Sequence, residues 1–315
     1  MCPHSRLGHG LASAAFGLAL AACAAHADDA TFERWWHDGK AELDGYRLHV
    51  SRYGQPRVGQ AVMVFVTEPF SESRRVKVED ATRDPRDTFD ALKLNFVRDF
   101  QTGIYDYNTM LSVFVRSGTF APVKISFASS EWCGNVYEEM RIDPRTIAHR
   151  VFSYFDGESK SESLPHPAGG LLEDELFLWV RGLRHDPLAP GEKRTAPILP
   201  GAFHRRLAHR PAVWSRAELS RGLHPETIQV PAGRFACATY RVQMAEGRDG
   251  RFWIETSYPH RVIRWEWSPP VGAPAGLGSV DGGELTGTER LSYWKLNGNG
   301  DESYLKRLGI EPTVR

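Results

Sequence analysis

Residues 129–140, SSEWCGNVYEEM, set an acid, an indole, a thiol, a glycine and an amide in consecutive positions, Glu131 to Asn135. Four roles are open to Cys133: nucleophile, metal ligand, half of a disulfide, or plain strand residue. Thiol–disulfide exchange through a C-x-x-C motif is excluded, because the second Cys is absent. No H-E-x-x-H occurs among the His residues, so no metal site is expected. No G-x-S-x-G elbow offers a serine nucleophile. A Cys–His pair needs no closeness in sequence, so a Cys133-dependent hydrolase or transferase stays open as an alternative.

The strand around Cys133 decides which way these groups point. Val123, Ile125 and Phe127 put the apolar phase on odd positions; Trp132 and Val136 put it on even ones. A one-residue shift reverses every face, and a bulge or tight turn near Ser129–Ser130 would produce it. Glu131, Cys133, Asn135 and Tyr137 then share the face opposite Trp132. In a curled barrel that row lines a cavity; in an open sheet it meets solvent. These four are the candidate ligand-binding residues, and no catalytic residue is assigned.

Other charged clusters read as ordinary surface. Glu138/Glu139, Asp87/Asp90 and Glu173/Glu175 resemble solvated carboxylate pairs. FHRRLAHR, with His204 and His209, reads as a solvated cationic loop that could touch anionic headgroups. NGNGDES (Asn297–Ser303) lacks the register of a calcium loop. The formal net charge of +0 gives no polyanion-binding excess, which disfavours nucleic acid. No cofactor is expected.

The N-terminus is a targeting segment. One Arg and no acid precede the apolar run LASAAFGLALAACAA, the build of a secretory signal and too short for an ordinary membrane span. AHA at Ala25–Ala27 is a small-x-small cleavage site, which makes residues 1–27 a signal peptide. LAAC at Leu20–Cys23 offers the alternative, a lipobox that ends the peptide at Ala22 and lipidates Cys23. The protein is therefore expected to be periplasmic or secreted, or else a membrane-anchored lipoprotein. In such an oxidising compartment Cys133 and Cys237 are candidates for a disulfide.

The remaining pattern is mainly β. FDALKLNFVRDF alternates, with Leu92, Leu94 and Phe96 on one face. VFSYFDGESKSESL reads as a hairpin through Asp156-Gly157. ETIQVPAGRFACATYRVQM and RFWIETSYPHRVIRWEWSPP each read strand, turn, strand. LLEDELFLWVRGL breaks the pattern: Leu172, Leu176, Trp179 and Leu183 form a helical stripe packed on a sheet, acids in its first turn and Arg181 in its last. DESYLKRLGI reads as a short C-terminal helix. We expect a β domain over 28–186 with its helix near 172–183, a Pro/Arg-rich loop over 187–211 with at most an edge strand, and a continuation over 212–315. The fold class is a curled antiparallel sheet, half-barrel or barrel with one or two packed helices; the alternative is a β-sandwich.

ETIQVPAGRFACATYRVQM followed by GRFWIETSYPHRVIRWEWS resembles the V-P-A-G-x-F hairpin and W/Y-x-P-H-R bend of exported bacterial proteins of the domain of unknown function 3108 type. The front half, with RYG, VFVTEPF, TGIYDYNTM and EWCGNVY, is similar to uncharacterised exported proteins, some labelled septum formation inhibitor; no residue here supports that label. The resemblance implies an envelope-facing, β-rich protein shaped like a half-barrel lipoprotein carrier, and carries over no site residues.

The function expected from all this is non-catalytic binding of an apolar or amphipathic, lipid-like ligand in a curved sheet. The alternative is a structural or partner-binding module of the envelope. Membrane association is expected only through a lipidated Cys23.

Overall fold

The computed structural model describes residues 29–269 and 281–312. The expected export segment, with Cys23, lies outside the described residues. A helix, α1 (Asp29–Trp36), precedes an up-and-down meander of eight strands. These are β1 (Ala41–Arg52), β2 (Gln55–Ser71), β3 (Thr88–Thr102), β4 (Tyr105–Arg116), β5 (Pro122–Glu131), β6 (Gly134–Ile142), β7 (Thr146–Ser153) and β8 (Lys160–Pro165). The chain then folds inward through β9 (Leu171–Leu172), a 3-10 turn at Glu173–Glu175 and the single-turn α2 (Leu176–Trp179). β10 (Lys193–Leu199) and α3 (Ala202–Ala208) follow. The last strands are β11 (Ser215–Arg221), β12 (Glu226–Val230), β13 (Gly233–Met244), β14 (Asp249–Glu255), β15 (Val262–Ser268) and β16 (Asp281–Leu291).

All sixteen belong to one sheet, in the order β8-β7-β6-β5-β4-β3-β2-β1-β16-β15-β14-β13-β11-β10-β9, with β12 a spur on β13. Among the described strands, only β9 and β10 pair in parallel. The sheet curls without closing, leaving β8 and β9 as edges. Its curvature is visible in one contact. β3 and β15 are four strands apart, about 19 Å in a flat sheet, yet Phe96 and Trp265 meet edge to face at 5.3 Å between ring centres.

The concave side is packed. Leu92, Leu94 and Phe96 point inward as their alternation requires. Phe177 of α2 enters the barrel and packs edge to face on Phe96, Phe252 and Trp265. Arg181 follows it in and is fully buried, donating to Glu42 at 2.7 Å and to the carbonyls of Pro259 and His260 at 2.8 and 3.1 Å. These bonds offset much of the cost of burying the cation, although Nη1 has no hydrogen-bond partner among the described residues.

Several expectations need correcting. The segment 187–211 holds the one strand the expectation allowed, β10, but also the helix α3, which it did not. Pro197 is tolerated because β9 pairs only with Ile198 and Leu199, which leaves the rest of that edge of β10 uncovered. The helix expected over 172–183 shrinks to the 3-10 turn and α2. Its leading acids are buried: Glu173 accepts from Gly201 N–H and Arg248, and Asp174 from Ala202 N–H, so they hold the start of α3. The carboxylate pair Glu173/Glu175 is therefore interior, as is Glu138. The C-terminal helix is a 3-10 segment, Asp301–Leu308, lying on the outer face of β1 and β16. Gly45 and Gly287 make room for it: a Cβ at Gly45 would sit 2.1 Å from the Leu308 carbonyl oxygen.

Candidate functional site

The turn in SSEWCGNVYEEM is at Trp132–Cys133, not at Ser129–Ser130. Glu131 and Gly134 are cross-strand partners that close a two-residue hairpin between β5 and β6. Partners share a face, so the inward set runs Ile125, Phe127, Ser129, Glu131 on β5 and Val136, Glu138, Met140 on β6. The proposed polar row is thus split. Glu131 is buried inside, Cys133 is exposed on the turn, and Asn135 and Tyr137 face outward. Cys133 and Cys237 are both free thiols, Cys237 buried on β13, so the candidate disulfide is absent. Among the described residues, neither Cys133 nor Cys237 hydrogen-bonds a His.

α3 lies across this end of the barrel and converts the inward acids into ion pairs. Arg205 donates to Glu138 at 2.5 and 3.2 Å. Arg206 donates to Glu131 through Nη2. Arg52, at the end of β1, donates to the Leu207 carbonyl at 2.8 Å and to the Tyr107 hydroxyl at 3.1 Å. Behind Glu138, the fully buried His149 bridges two carboxylates, at 3.0 Å to Glu138 and 2.9 Å to Glu162. Burial alone would raise the Glu138 pKa, but Arg205 and the hydrogen bonds from His149 and Arg205 outweigh it and hold the carboxyl at about 2. Glu158 is likewise held below its ordinary value: its partial burial is outweighed by His209 and Ser153.

Between α3 and the inner ends of β5–β8 is a cleft of about 180 Å³. Phe127, Val136, Val151, Pro211 and Ala212 form its apolar side. Arg205, Arg206, His209, Arg210 and Lys160 bring its cations, and Glu138 and Glu158 its acids. Arg206 is the unusual member. Its side chain is 5% exposed and lies over the Phe155 ring at 4.1 Å, while Nε and Nη1 have no hydrogen-bond partner. A buried guanidinium normally fills its donors; buried Arg98 also leaves Nε and Nη1 unmet, but of the two only Arg206 lines the cleft. Arg210 is exposed and has no ion pair among the described residues. A smaller cavity of about 130 Å³ beside α2 is lined by Phe120, Leu171, Leu178 and Trp179 among others. It is apolar apart from His166 and Glu175.

No family model matches the sequence, and no curated protein matches it. Among solved structures, the chain is similar to a beta-barrel-like protein of domain of unknown function DUF1849 from Brucella abortus. Identity is 8% and the TM-score 0.46, over 80% of this chain and 98% of that one.

The sequence reading missed Arg205, Arg206, Glu138 and His149. For Glu138 a signal existed: with the turn at Trp132–Cys133, the even phase Val136, Met140, Ile142 carries Glu138 inward. For the arginines there was none. Helix α3 is seven residues long in a Pro- and Arg-rich stretch, and its position follows from Glu173 and Asp174, which are distant in sequence.

Proposed function

We propose that this is an exported, non-catalytic envelope protein that holds the anionic head of an amphipathic, lipid-like ligand in the cleft beside α3. The observation that carries the reading is Arg206, a buried guanidinium with two unmet donors in the wall of a cleft that has one apolar and one cationic side. Planar guanidinium donors suit a phosphate or carboxylate acceptor. The barrel interior is not the binding place in this reading, because Phe177 and its aromatic partners occupy it. A cleft of about 180 Å³ is below the range of roughly 300–1,000 Å³ that encloses a whole drug-sized ligand. It suits a headgroup, and leaves the apolar chain outside. Export and an envelope setting rest on residues 1–27 and on the resemblance to the domain of unknown function 3108 proteins. Calorimetric titration with decyl phosphate, against neutral decyl maltoside, tests the reading. Saturable binding of the phosphate alone supports it; no binding, or equal binding of both, removes it.

A further inference from the structure

The apolar chain left outside the cleft raises the question of what the cleft's rim meets. In the meander, the β1–β2, β3–β4, β5–β6 and β7–β8 turns all emerge at one end of the barrel. Each presents a large side chain to solvent: Tyr53 is 57% exposed, Ile104 79%, Trp132 68% and Tyr154 69%. They are not independent whiskers. The Tyr53 and Tyr105 hydroxyls share a 2.9 Å hydrogen bond, and Tyr105 stacks on Trp132 at 6.2 Å. Tyr154 lies on Gly134 of the next hairpin, where a Cβ would come within 2.3 Å of its ring. Phe152, 63% exposed, extends the patch down the outer wall. The turns at the opposite end of β1–β8 carry a single exposed large apolar residue among the described residues, Val76.

An arc of fixed, exposed aromatics at one end is costly in water and well suited to a bilayer interface, where amphipathic Tyr and Trp rings settle at the headgroup level. The cleft opens beside this arc, and the unmet donors of Arg206 together with Arg210 supply the complementary charge for an anionic headgroup. Exposed Asp106 and Asp156 on the same turns temper that attraction. We infer that this rim docks on the surface of a membrane containing anionic lipid, placing the cleft against its headgroups. The inference deepens the proposed function and rests on it for the role of the cleft, not for the docking itself.

Cys133 provides the reporter, since it is exposed beside Trp132 while Cys237 is buried. The mature chain from Asp28, which lacks Cys2, Cys23 and the apolar export segment, is labelled on Cys133 with bimane, with Cys133→Ser as the labelling control. It is mixed with phosphatidylcholine vesicles, with or without phosphatidylglycerol, and co-sedimentation is read in parallel. The expected result is a blue-shifted emission and pelleting that is stronger with phosphatidylglycerol. Ile104→Ser/Trp132→Ser should weaken vesicle partitioning about tenfold and leave decyl phosphate binding intact. Docking is overturned if the wild type pellets with neither vesicle, or if the double variant partitions like wild type. It is also overturned if the only effect of the variant is loss of self-association in sedimentation velocity, which would make the rim a contact between copies. Failure of decyl phosphate binding with vesicle docking preserved would instead remove the cleft reading alone.

Discussion

Arg206 on α3 reaches Glu131 at the end of β5 with one guanidinium nitrogen, and its buried Nε and Nη1 have no acceptor among the described residues. Arg205 is bidentate on Glu138, and Arg248 is bidentate on Glu173, whereas buried Arg98, over the Phe96 and Phe203 rings, shares the two unmet donors but is not part of the cleft lining. What sets Arg206 apart is its place in the lining of the cleft.

Glu175 titrates against stability. Burial, reinforced by Asp174 and opposed by the Leu172 N–H, pushes its pKa from 4.5 up to about 8. A raised acid stabilises fully below its unfolded pKa and loses that contribution as pH rises through the folded one. Stability from this group should therefore fall from about pH 4.5 to about pH 8. Glu175→Gln keeps an oxygen for Leu172 N–H and removes the penalty. Thermal melts should coincide for the two proteins at low pH and favour the variant by a few kcal/mol at pH 8.

Glu138 should act in the opposite sense. Its carboxyl is held at about 2 against an ordinary 4.5, so its stabilisation is present above about pH 4.5 and lost as pH falls toward 2. Glu138→Gln should flatten the acid limb of a Tm–pH profile and lower Tm at neutral pH, where Arg205 would be left buried without its partner.

Arg181 and Phe177 anchor the interior plug. Arg181→Met strands the buried Glu42 and two carbonyls, and should cost about 3–5 kcal/mol. Phe177→Ala empties the centre of an aromatic cluster and should cost about 3–5 kcal/mol. Urea unfolding reads both. A loss below about 1 kcal/mol in either would mean that the plug does not hold the barrel.

The thiols should behave as strangers. Native protein should react with maleimide at Cys133 and not at Cys237, whose thiol burial pushes up to about 12. Reductant should leave Tm unchanged.

Much of the fold was legible because it is written in alternation. Leu92, Leu94 and Phe96 declare an inward face, and Asp156-Gly157 and the V-P-A-G turn declare hairpins, so the curled antiparallel sheet follows from local signals. The plug was legible only in part. The stripe Leu172, Leu176, Leu183 marked a buried segment, but a barrel interior holds one turn of helix there and turns its acids inward to hold α3. The candidate site was hardly legible. Only Glu131 of the expected row reaches it, through its pair with Arg206, because the face of Cys133, Asn135 and Tyr137 depends on where a two-residue turn falls. The arginines were hidden in a segment that reads as solvated loop, and their burial depends on contacts across more than sixty residues of chain.

The most direct test of the account is the affinity for decyl phosphate in wild type and in Arg210→Glu, a surface reversal that spares the buried pairs. The account predicts saturable binding that weakens about tenfold in the variant, one charge interaction's worth of roughly 1.4 kcal/mol, with Tm unchanged. Equal affinity in the two proteins, or no saturable binding to either, would contradict it.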